Sequence, residues 1–428
     1  MSAMPLLAMG VSDCIAWCGG KPVSRGELLR DAHELAKQLP DAQYVLNLCR
    51  DRYSFLTGFA AACLRGKISL LPSSDAPATI VQISHAYSDH HVLDDLHVNR
   101  ARVVSHAGQP QPSSSWPSIE GDRCVAIVFT SGTTGAPQPH PKTWRELCAT
   151  GRAVADQFAP RLNLVATVPA QHMYGLEATI ALTCASGCSF HDGRPFFPQD
   201  IRAALASIPA PRALVTTPAH LRVCLESEVR FEPLEMILCA TAPLESRLAA
   251  EAEAMWNTAL HEIYGSTEAG VMATRRTTAG EEWNLLPGAS LRTVGDSYVY
   301  SAPQLATPVE LHDLIEPTGR NQFVLRGRSA DLIKVAGKRA SLTDITARLR
   351  KIPGVEDCVV FQPDPQGRPA ALVVAAGLES RAIAAALAGV LEPSFVPRPL
   401  VVVQQLPRNA VGKFDRAALL AAIRSHDE

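Results

Sequence analysis

The sequence has no surplus of charge of either sign. It contains 40 Lys+Arg residues against 42 Asp+Glu residues, so its formal net charge is −2. Proteins that bind the phosphate backbone of DNA or RNA are usually strongly basic, which excludes nucleic acid as the main partner here. A local basic site for a small anion remains compatible with this balance.

Long apolar runs are also lacking. No stretch approaches the roughly 18 apolar residues of a membrane-spanning helix, so we expect no membrane span. No basic region precedes the short apolar stretch at the N-terminus, which therefore does not resemble a secretion signal. Apolar residues nevertheless make up 47% of the chain and charged residues 19%, a balance typical of a globular protein and not of a disordered one.

Neither a disulfide framework nor a zinc motif is present. The 11 cysteines are odd in number and scattered, which favours a reducing, cytoplasmic location. Cys14 and Cys18, like Cys184 and Cys188, are four residues apart, but a metal site would need two more ligands. We interpret these residues as small buried thiols. The 13 histidines form no H-E-x-x-H pattern.

Glycine is less abundant than proline, with 27 residues against 32. Frequent proline predicts many turns and stiff loops and disfavours long uninterrupted helices. At roughly 150 residues per domain, 428 residues indicate two or three domains.

The N-terminal part mixes helices and short strands, and strands and helices then alternate. Apolar residues at helical spacing behind a serine predict a helix from Ser24 to Leu39, and a second helix spans Phe55 to Leu64. Short apolar runs predict buried strands at Ile68 to Leu71, Cys124 to Phe129, Leu164 to Val168, Ala213 to Val215 and Met236 to Cys239. A helix follows Asp200. This alternation predicts an α/β fold with mostly parallel sheets.

The pattern changes twice towards the C-terminus. Short strands near Tyr298 to Gln304 and Asn321 to Arg326 predict a small β subdomain. Helices at Leu342 to Ile352 and Arg381 to Leu391, with strands at Cys358 to Phe361, Ala370 to Val374 and Leu400 to Val403, predict an α+β unit. We therefore predict a large N-terminal body over residues 1–327 and a small C-terminal domain over residues 328–428, about 100 residues and large enough to fold alone.

The strongest local motif follows the strand that ends at Phe129. It reads Thr130-Ser131-Gly132-Thr133-Thr134-Gly135-Ala136-Pro137. Two glycines allow a tight turn, and backbone N–H groups with four hydroxyls make a nest for an anion such as polyphosphate. Pro141 precedes Lys142-Thr143, so the Walker pattern fails, and the dinucleotide pattern G-x-G-x-x-G is absent from this loop. The alternative is an ordinary Ser/Thr/Gly surface turn.

Four further motifs follow the loop in the sequence. They are Leu238-Cys239-Ala240-Thr241-Ala242-Pro243-Leu244, Tyr264-Gly265-Ser266-Thr267-Glu268, Gly327-Arg328 with Asp331-Leu332-Ile333-Lys334 and Gly337-Lys338-Arg339, and Leu406-Pro407 with Gly412-Lys413 and Arg416. With the loop, these five motifs in this order resemble those of the adenylate-forming superfamily of acyl- and aryl-CoA synthetases, adenylation domains and luciferases. The resemblance spans about residues 124 to 416. It implies activation of an acid by ATP and Mg²⁺ as an acyl-adenylate, followed by transfer to a phosphopantetheine thiol.

The resemblance also assigns the ATP site. The phosphates would lie against Thr130, Ser131, Gly132, Thr133, Thr134 and Gly135. Adenine would stack on Tyr264, beside Thr241, Ala242, Gly265 and Ser266. Thr267 would contact the α-phosphate, and Glu268 would hold Mg²⁺, which prefers oxygen ligands. Asp313 and Arg328 would bind the ribose, although Asp313 also fits a solvated loop.

Lys413 is the main catalytic candidate that the resemblance implies. A carboxylate attacking the α-phosphate builds negative charge, which a lysine there would neutralise. The C-terminal domain would then move, and Lys334 and Gly337 would face the site in the thiol half-reaction. The family's hinge position is occupied by Ala330, beside Asp331.

The phosphate loop departs from the family pattern. Gln138 stands where the family has lysine, and Lys142, further along, either supplies that charge or none is needed there. The P-Q-P-H-x-K-T-W stretch and Gln171-His172-Met173-Tyr174-Gly175 resemble stand-alone ligases of aryl-polyene pigment pathways of the xanthomonadin type. Those activate a 4-hydroxybenzoate-like acid for an acyl carrier protein.

The acid pocket is expected to be an apolar slot. The resemblance places His172 at its edge, in a catalytic or substrate-binding role, unless His172 is a packed core histidine. Tyr174, Ala240, Gly265, Ala269 and Gly270 would shape the rest. A hydroxylated aryl acid would need a hydrogen-bonding residue at the far end, because an unpartnered buried phenol costs about 1–3 kcal/mol. Three functions remain open: an aryl ligase for a carrier protein, an aryl- or medium-chain acyl-CoA synthetase, and a non-catalytic adenylate binder.

Overall fold

The computed structural model describes residues 3–8, 10–106, 117–131, 137–158, 161–295, 297–311, 313–328, 332–335, 338–364, 367–407, 414 and 416–424. They form two units. One consists of Met1–Ser290 with Tyr300–Val309, and the other of Leu291–Val299 with Glu310–Glu428. The functional boundary at residue 327 stays a prediction, since this division reflects packing alone.

The first unit alternates strands and helices as predicted. Its strands are β1 (Ala3–Pro5), β2 (Cys14–Cys18), β3 (Lys21–Ser24), β4 (Tyr44–Asn47), β5 (Ile68–Leu71), β6 (His90–Leu93), β7 (Ser118–Glu120), β8 (Cys124–Ser131), β9 (Pro137–Thr143), β10 (Asn163–Ala166), β11 (Ser189–His191), β12 (Arg212–Thr216), β13 (Met236–Cys239), β14 (Ala259–Ser266), β15 (Gly270–Arg276) and β16 (Glu282–Leu285). Its helices are α1 (Arg25–Gln38), α2 (Arg52–Leu64), α3 (Pro77–Ala86), α4 (Asp95–His106), α5 (Trp144–Gln157), α6 (Met173–Gly175), α7 (Leu182–Ala185), α8 (Pro198–Ala206), α9 (Pro218–Glu226) and α10 (Ser246–Trp256), with a π-helical segment at Leu176–Ala181.

Two mostly parallel sheets organise this unit, which confirms the predicted α/β class. In one, neighbouring strands run in the order β16-β15-β14-β13-β12-β10-β11-β2-β3. The strands from β14 to β2 are parallel, whereas β15, β16 and β3 are antiparallel to their neighbours. The other sheet has the order β6-β4-β5-β8-β9, with only the β8–β9 pair antiparallel. In open α/β sheets, ligands bind beyond the carboxyl ends of the parallel strands.

Two helices begin at capping boxes, the first of them at the serine that the sequence predicts as a cap. Ser24 accepts a hydrogen bond from the N–H of Glu27, and Glu27 reaches back to the N–H of Ser24, so α1 begins at a capping box. Thr143 and Glu146 form the same arrangement at the start of α5. Because Thr143 also ends β9, this cap joins the phosphate-loop hairpin rigidly to a helix.

Strand β9 is the last strand of its sheet and is rich in proline. Pro137, Pro139 and Pro141 pair with Ser131, Phe129 and Ile127 of β8. Proline lacks an N–H group and is tolerated in strands mainly at sheet edges. Because the prolines occupy alternate positions, the residues between them remain able to form the main-chain hydrogen bonds that join β9 to β8.

The second unit is built from short strands followed by an α+β part. The remaining elements are β17 (Ser290–Val294), β18 (Ser297–Ser301), β19 (Val309–Leu311), β20 (Asp313–Pro317), β21 (Gln322–Arg328), β22 (Leu332–Val335), β23 (Lys338–Ser341), α11 (Leu342–Arg350), β24 (Val355–Phe361), β25 (Ala370–Ala375), α12 (Ser380–Ala388), β26 (Leu400–Val402) and α13 (Arg416–Arg424). Of these, β17, β18 and β19 each have some residues that belong to the first unit. Ile345, Cys358 and Ile383 belong to one buried core. This agrees with the predicted small β subdomain and terminal α+β unit.

The cysteines carry no cross-link in the described residues. All eleven are free, and within the described ranges no group of three or more His, Cys, Asp or Glu side chains is arranged to hold a metal ion. Cys14 and Cys18 are only partly buried, whereas Cys184 and Cys188 are fully buried. In the same ranges, every helix is too short or too polar to span a membrane.

Candidate active site

The predicted phosphate loop joins the two strands of the β8–β9 hairpin. Ser131 and Pro137 are direct partners at its end, and Thr130 pairs with Gln138. Four predicted phosphate-binding residues lie outside the described residues: Gly132, Thr133, Thr134 and Gly135. The hairpin thus brings both ends of the loop to the carboxyl end of the parallel strand β8.

The Tyr-Gly-Ser-Thr-Glu segment forms the end of β14 and the turn into β15. A Cβ atom at Gly265 would lie 2.4 Å from the carbonyl oxygen of Gly270, so this position requires glycine. The Ser266 hydroxyl accepts a hydrogen bond of 3.2 Å from the N–H of Ala269. This bond closes a turn that holds Thr267 and Glu268.

The residues predicted to hold adenine lie near the carboxyl ends of β13 and β14. Thr241 and Ala242 follow β13, a parallel neighbour of β14, and both are exposed. Thr241 has a φ of 83°, in the left-handed region that few residues other than glycine adopt. Such strained residues cluster at ligand sites. The Tyr264 ring, half-buried at the level of these residues, lies 5.5 Å from the ring of Trp283.

Lys142 points into the protein, towards the turn after β14. Its side chain is buried, and its Nζ donates a hydrogen bond of 2.9 Å to the main-chain carbonyl oxygen of Glu268. Of the two alternatives raised by Gln138, this contact disfavours the one in which Lys142 supplies the charge to the phosphate loop. The ammonium is engaged at the predicted magnesium ligand instead.

His140, in β9, lies between Thr130 of β8 and Glu268. Its Nε2 is 3.0 Å from the Thr130 hydroxyl, and its Nδ1 is 3.8 Å from Oε1 of Glu268. Burial lowers the pKa of His140, and the charge of Lys142 acts in the same direction, although Glu268 opposes it. A neutral imidazole can both accept and donate a hydrogen bond, so it suits a link between a hydroxyl and a carboxylate.

The Glu268 carboxyl is suited to hold a cation. Partial burial alone would raise its pKa, but hydrogen bonds from its own N–H and from Ser266, together with His140 and Lys142, bring the pKa of Glu268 below its usual value. The carboxylate is therefore ionised at neutral pH, and 52% of its side chain is exposed. Mg²⁺ commonly binds one or two carboxylates together with substrate phosphates, which fits this donor beside a phosphate loop.

The predicted acid pocket is assembled by contacts between three elements. His172 is exposed at the start of α6, with its Nε2 2.8 Å from the carbonyl oxygen of Ser73, so it is not a packed core histidine. The Tyr174 hydroxyl donates a hydrogen bond of 2.9 Å to the carbonyl oxygen of Leu238, two residues before the buried Ala240. Burial raises the pKa of Tyr174 well above its usual value, so its hydroxyl stays protonated.

Glu177 is a buried residue beside this pocket that the sequence did not single out. It lies in the π-helical segment, and a Cβ atom at Gly270 would be 2.4 Å from its Oε1. Its carboxyl accepts hydrogen bonds from Thr150 and from the N–H of Val271. Burial raises the pKa of Glu177 to about 8, although Lys142 opposes this. One feature of the sequence could have indicated this residue: Glu177 is the single acidic residue in the otherwise uncharged run from Met173 to Phe190.

In the second unit, the strand pair β20–β21 brings the two predicted ribose residues into register. Asp313 and Arg328 are direct partners across this antiparallel pair. Lys334 lies in β22, where its main chain pairs with Arg339 of β23. Other predicted positions lie outside the described residues: Ala330, Asp331, Gly337 and Lys413.

Comparison with known proteins finds sequence similarity over most of the chain. The family described as AMP-binding enzyme matches residues 31–299, and its AMP-binding enzyme C-terminal domain matches residues 345–413. A 4-coumarate–CoA ligase from Halorhodospira halophila is 30% identical over 294 residues, which cover 66% of this chain and 73% of that protein.

Solved structures share the fold along the whole chain. ATP-bound MatB from Rhodopseudomonas palustris superposes with a TM-score of 0.79 at 19% identity, covering 97% of both chains. The o-succinylbenzoate CoA synthetase from Bacillus subtilis, in complex with its acyl-adenylate intermediate, gives a TM-score of 0.79 at 16% identity over 98% of both chains.

Proposed function

Since this chain belongs to the AMP-binding enzyme family and is an ATP-dependent, acyl-adenylate-forming acid–thiol ligase, we propose that its acid is aromatic and its acceptor is an acyl carrier protein. In the first half-reaction, a carboxylate oxygen attacks the α-phosphorus of ATP and pyrophosphate leaves. In the second, the phosphopantetheine thiol attacks the acyl carbon of the adenylate, and AMP and a proton are released. The predicted compartment remains the cytoplasm.

The observation that supports the aromatic proposal is that residues predicted to shape the acid pocket come from segments that contact one another. Tyr174 binds the strand that leads to Ala240, and Glu177 packs on Gly270. A flat ring is the acid shape that we expect beside Tyr174 and small residues such as Ala240 and Gly270. The relative from Halorhodospira halophila is named for an aromatic acid, 4-coumarate.

In this proposal the ATP residues act as the resemblance assigns them. The phosphates bind the loop from Thr130 to Gly135, adenine stacks on Tyr264, and Asp313 with Arg328 binds the ribose. Glu268 would hold Mg²⁺, which supplies charge neutralisation to the phosphates when bound. Lys413 would neutralise charge at the α-phosphate, while Lys334 and Gly337 would serve the thiol step.

Pyrophosphate exchange with a panel of acids tests the acid class. We expect exchange with benzoate and 4-hydroxybenzoate, and much weaker exchange with cyclohexanecarboxylate and octanoate, which have equal charge but no flat ring. Preference for octanoate would overturn the aromatic proposal. Absence of exchange with every aryl and fatty acid would argue for a non-catalytic adenylate binder.

A second acceptor, free CoA, is favoured by one observation: the Halorhodospira relative is named as a CoA ligase. The same adenylate serves either thiol, so the two acceptors are separated by direct competition. The enzyme is given the preferred acid, ATP and equal concentrations of CoA and a phosphopantetheinylated carrier protein, with the carrier lacking phosphopantetheine as control. Acylation of the modified carrier alone supports the proposal, and formation of the acyl-CoA alone overturns it.

A further inference from the structure

Two buried polar side chains hold the segment from Glu268 to Val271 at its two ends. Lys142, from β9, donates to the carbonyl oxygen of Glu268 at 2.9 Å. Glu177, from the π-helical segment, accepts the N–H of Val271 and packs on Gly270. Both side chains are buried, with 2% exposure each. A buried ammonium or carboxyl is costly unless it is paired or hydrogen-bonded, so each side chain depends on these contacts with the segment.

The two side chains also interact with each other. The charge of Lys142 lowers the pKa of Glu177 and so opposes the effect of burial. The segment that they hold contributes on one side to the magnesium carboxylate of Glu268 and on the other to the acid pocket at Gly270. A shift of this segment would therefore change both sites together.

We propose that Lys142 and Glu177 are positioning residues that fix the Glu268–Val271 segment, Lys142 for metal–nucleotide binding and Glu177 for the acid pocket. This proposal rests on the proposed function of the same site. Neither side chain needs to touch a substrate. Lys142 acts through the main chain of Glu268, and Glu177 acts through Gly270 and Val271.

The position of Nζ distinguishes a positioning role of Lys142 from a phosphate-binding role. A lysine that neutralised phosphate would direct Nζ towards the loop between Ser131 and Pro137. Here Nζ instead satisfies a carbonyl oxygen in the turn after β14, across the junction between the two sheets. Groups that orient a metal ligand without touching the metal change metal affinity or activity by about 10–100-fold when they are removed.

The test compares Lys142→Met with a matched control, Lys67→Met. Lys67 is also a buried lysine of the first unit whose Nζ donates to a main-chain carbonyl oxygen, that of Ala42, far along the chain from the site residues. Both variants lose a buried ammonium, so both should lower the melting temperature. Only Lys142→Met should weaken binding of the magnesium complex of a non-hydrolysable ATP analogue, by about 10-fold or more.

Calorimetry provides the readout that a merely structural role would not move. The analogue is titrated once with Mg²⁺ and once with EDTA. The proposal expects Lys142→Met to lose affinity only with Mg²⁺, and Lys142→Arg, which keeps a donor, to recover most of it. Equal losses in Lys142→Met and Lys67→Met, or equal losses with and without Mg²⁺, would overturn the role of Lys142.

The role of Glu177 is tested by measuring KM for the acid in two variants. This test remains available if Lys142→Met does not fold. Glu177→Gln keeps an oxygen acceptor for Val271, whereas Glu177→Leu has none. We expect Glu177→Leu to raise KM for the acid about 10-fold or more, with KM for ATP changed less, and Glu177→Gln to stay near wild type. Equal KM values in the two variants would refute the assigned role. If the wild type exchanged pyrophosphate with none of the acids tested, the proposed function itself would be refuted. The two failures are therefore distinguishable.

Discussion

Asp313 and Arg328 are direct partners across the antiparallel strands β20 and β21, although 15 residues separate them in the sequence. The spacing that identified them as a ribose pair is therefore the spacing of a hairpin. The strand pair has one irregularity in register, between Leu314 and Ile315. Pairing of this kind fixes the separation of the two residues without any contribution from the rest of the chain.

The ribose assignment predicts a specific loss in Asp313→Ala. A hydrogen bond to a charged group is worth about 1.5–3 kcal/mol, so KM for ATP should rise about 10–100-fold. The variant should also lose the preference of the wild type for ATP over 2′,3′-dideoxy-ATP. Asp344→Ala, which removes an exposed carboxylate paired with Arg348 in the same unit, is the control. A preserved preference in Asp313→Ala would contradict the assignment.

The adenine assignment predicts that an aromatic ring, and not the hydroxyl, matters at Tyr264. Stacking of a base on an aromatic side chain is worth about 1–3 kcal/mol, so Tyr264→Ala should raise KM for ATP about 10-fold. Tyr264→Phe should keep KM within about twofold, because it keeps the stacking face. Initial rates of pyrophosphate exchange at varied ATP provide the measurement. Similar KM values for the two variants would exclude stacking.

Gly270 should not tolerate a side chain. Its φ is +70°, and an added Cβ would lie 2.4 Å from Glu177, so Gly270→Ala combines a backbone cost of about 1–2 kcal/mol with a clash. Gly19→Ala is the control, since Gly19 has a φ of +57° with nothing within 4 Å of an added Cβ. Urea unfolding should show a larger loss in Gly270→Ala. If the two losses were equal, the contact with Glu177 would not be tight.

The buried carboxyl of Glu177 predicts a dependence of stability on pH. Its pKa rises from an ordinary 4.5 to about 8 in the folded protein, mainly because of burial. Between these values the folded protein holds a proton that the unfolded chain has lost, so the free energy of unfolding falls as pH rises. Glu177→Gln removes this contribution.

Urea unfolding of wild type and Glu177→Gln from pH 5 to 9 measures it. The stability of the variant relative to wild type should increase up to about pH 8 and level off above it. Titration elsewhere in the chain affects both proteins equally and cancels in the difference. Parallel profiles across the range would mean that Glu177 titrates normally in the folded state.

Lys413 should matter for one half-reaction only. Lys413→Ala is expected to abolish acid-dependent pyrophosphate exchange, because developing charge at the α-phosphate would lose its neutralising partner. Transfer from a preformed acyl-adenylate to the thiol should remain largely intact. Equal loss of both half-reactions would refute the role, and Lys351→Ala, another lysine of the C-terminal region, serves as control.

Element positions were predictable where local chemistry sets the ends. The strand Ile68–Leu71 was placed to the residue, since Gly66 and Pro72 flank it. Helix α1 follows from Ser24 and Glu27, whose capping box is a purely local pattern. Helix α2 begins three residues earlier than predicted, at Arg52 rather than Phe55, because its cap is Asp51.

The sequence indicates candidate site residues most clearly where a motif is continuous in the chain. The loop after Phe129 and the segment from Tyr264 to Glu268 are each recognisable from their own residues. The direction of Lys142 depends on a carbonyl 126 residues away, and the burial of Glu177 depends on its packing against β15. Contacts between distant parts of the chain leave no local pattern, so both proposed roles could be inferred only from the fold.

The prolines of β9 have a consequence for the whole sheet. Alternate residues of an edge strand direct their main-chain groups outward, and at Pro137, Pro139 and Pro141 the outward position has no N–H to offer. A strand from another molecule therefore finds no donors along this stretch and cannot extend the sheet. The hairpin that carries the phosphate loop is therefore a poor template for pairing with a further strand, which gives one structural consequence to part of the proline content of this chain.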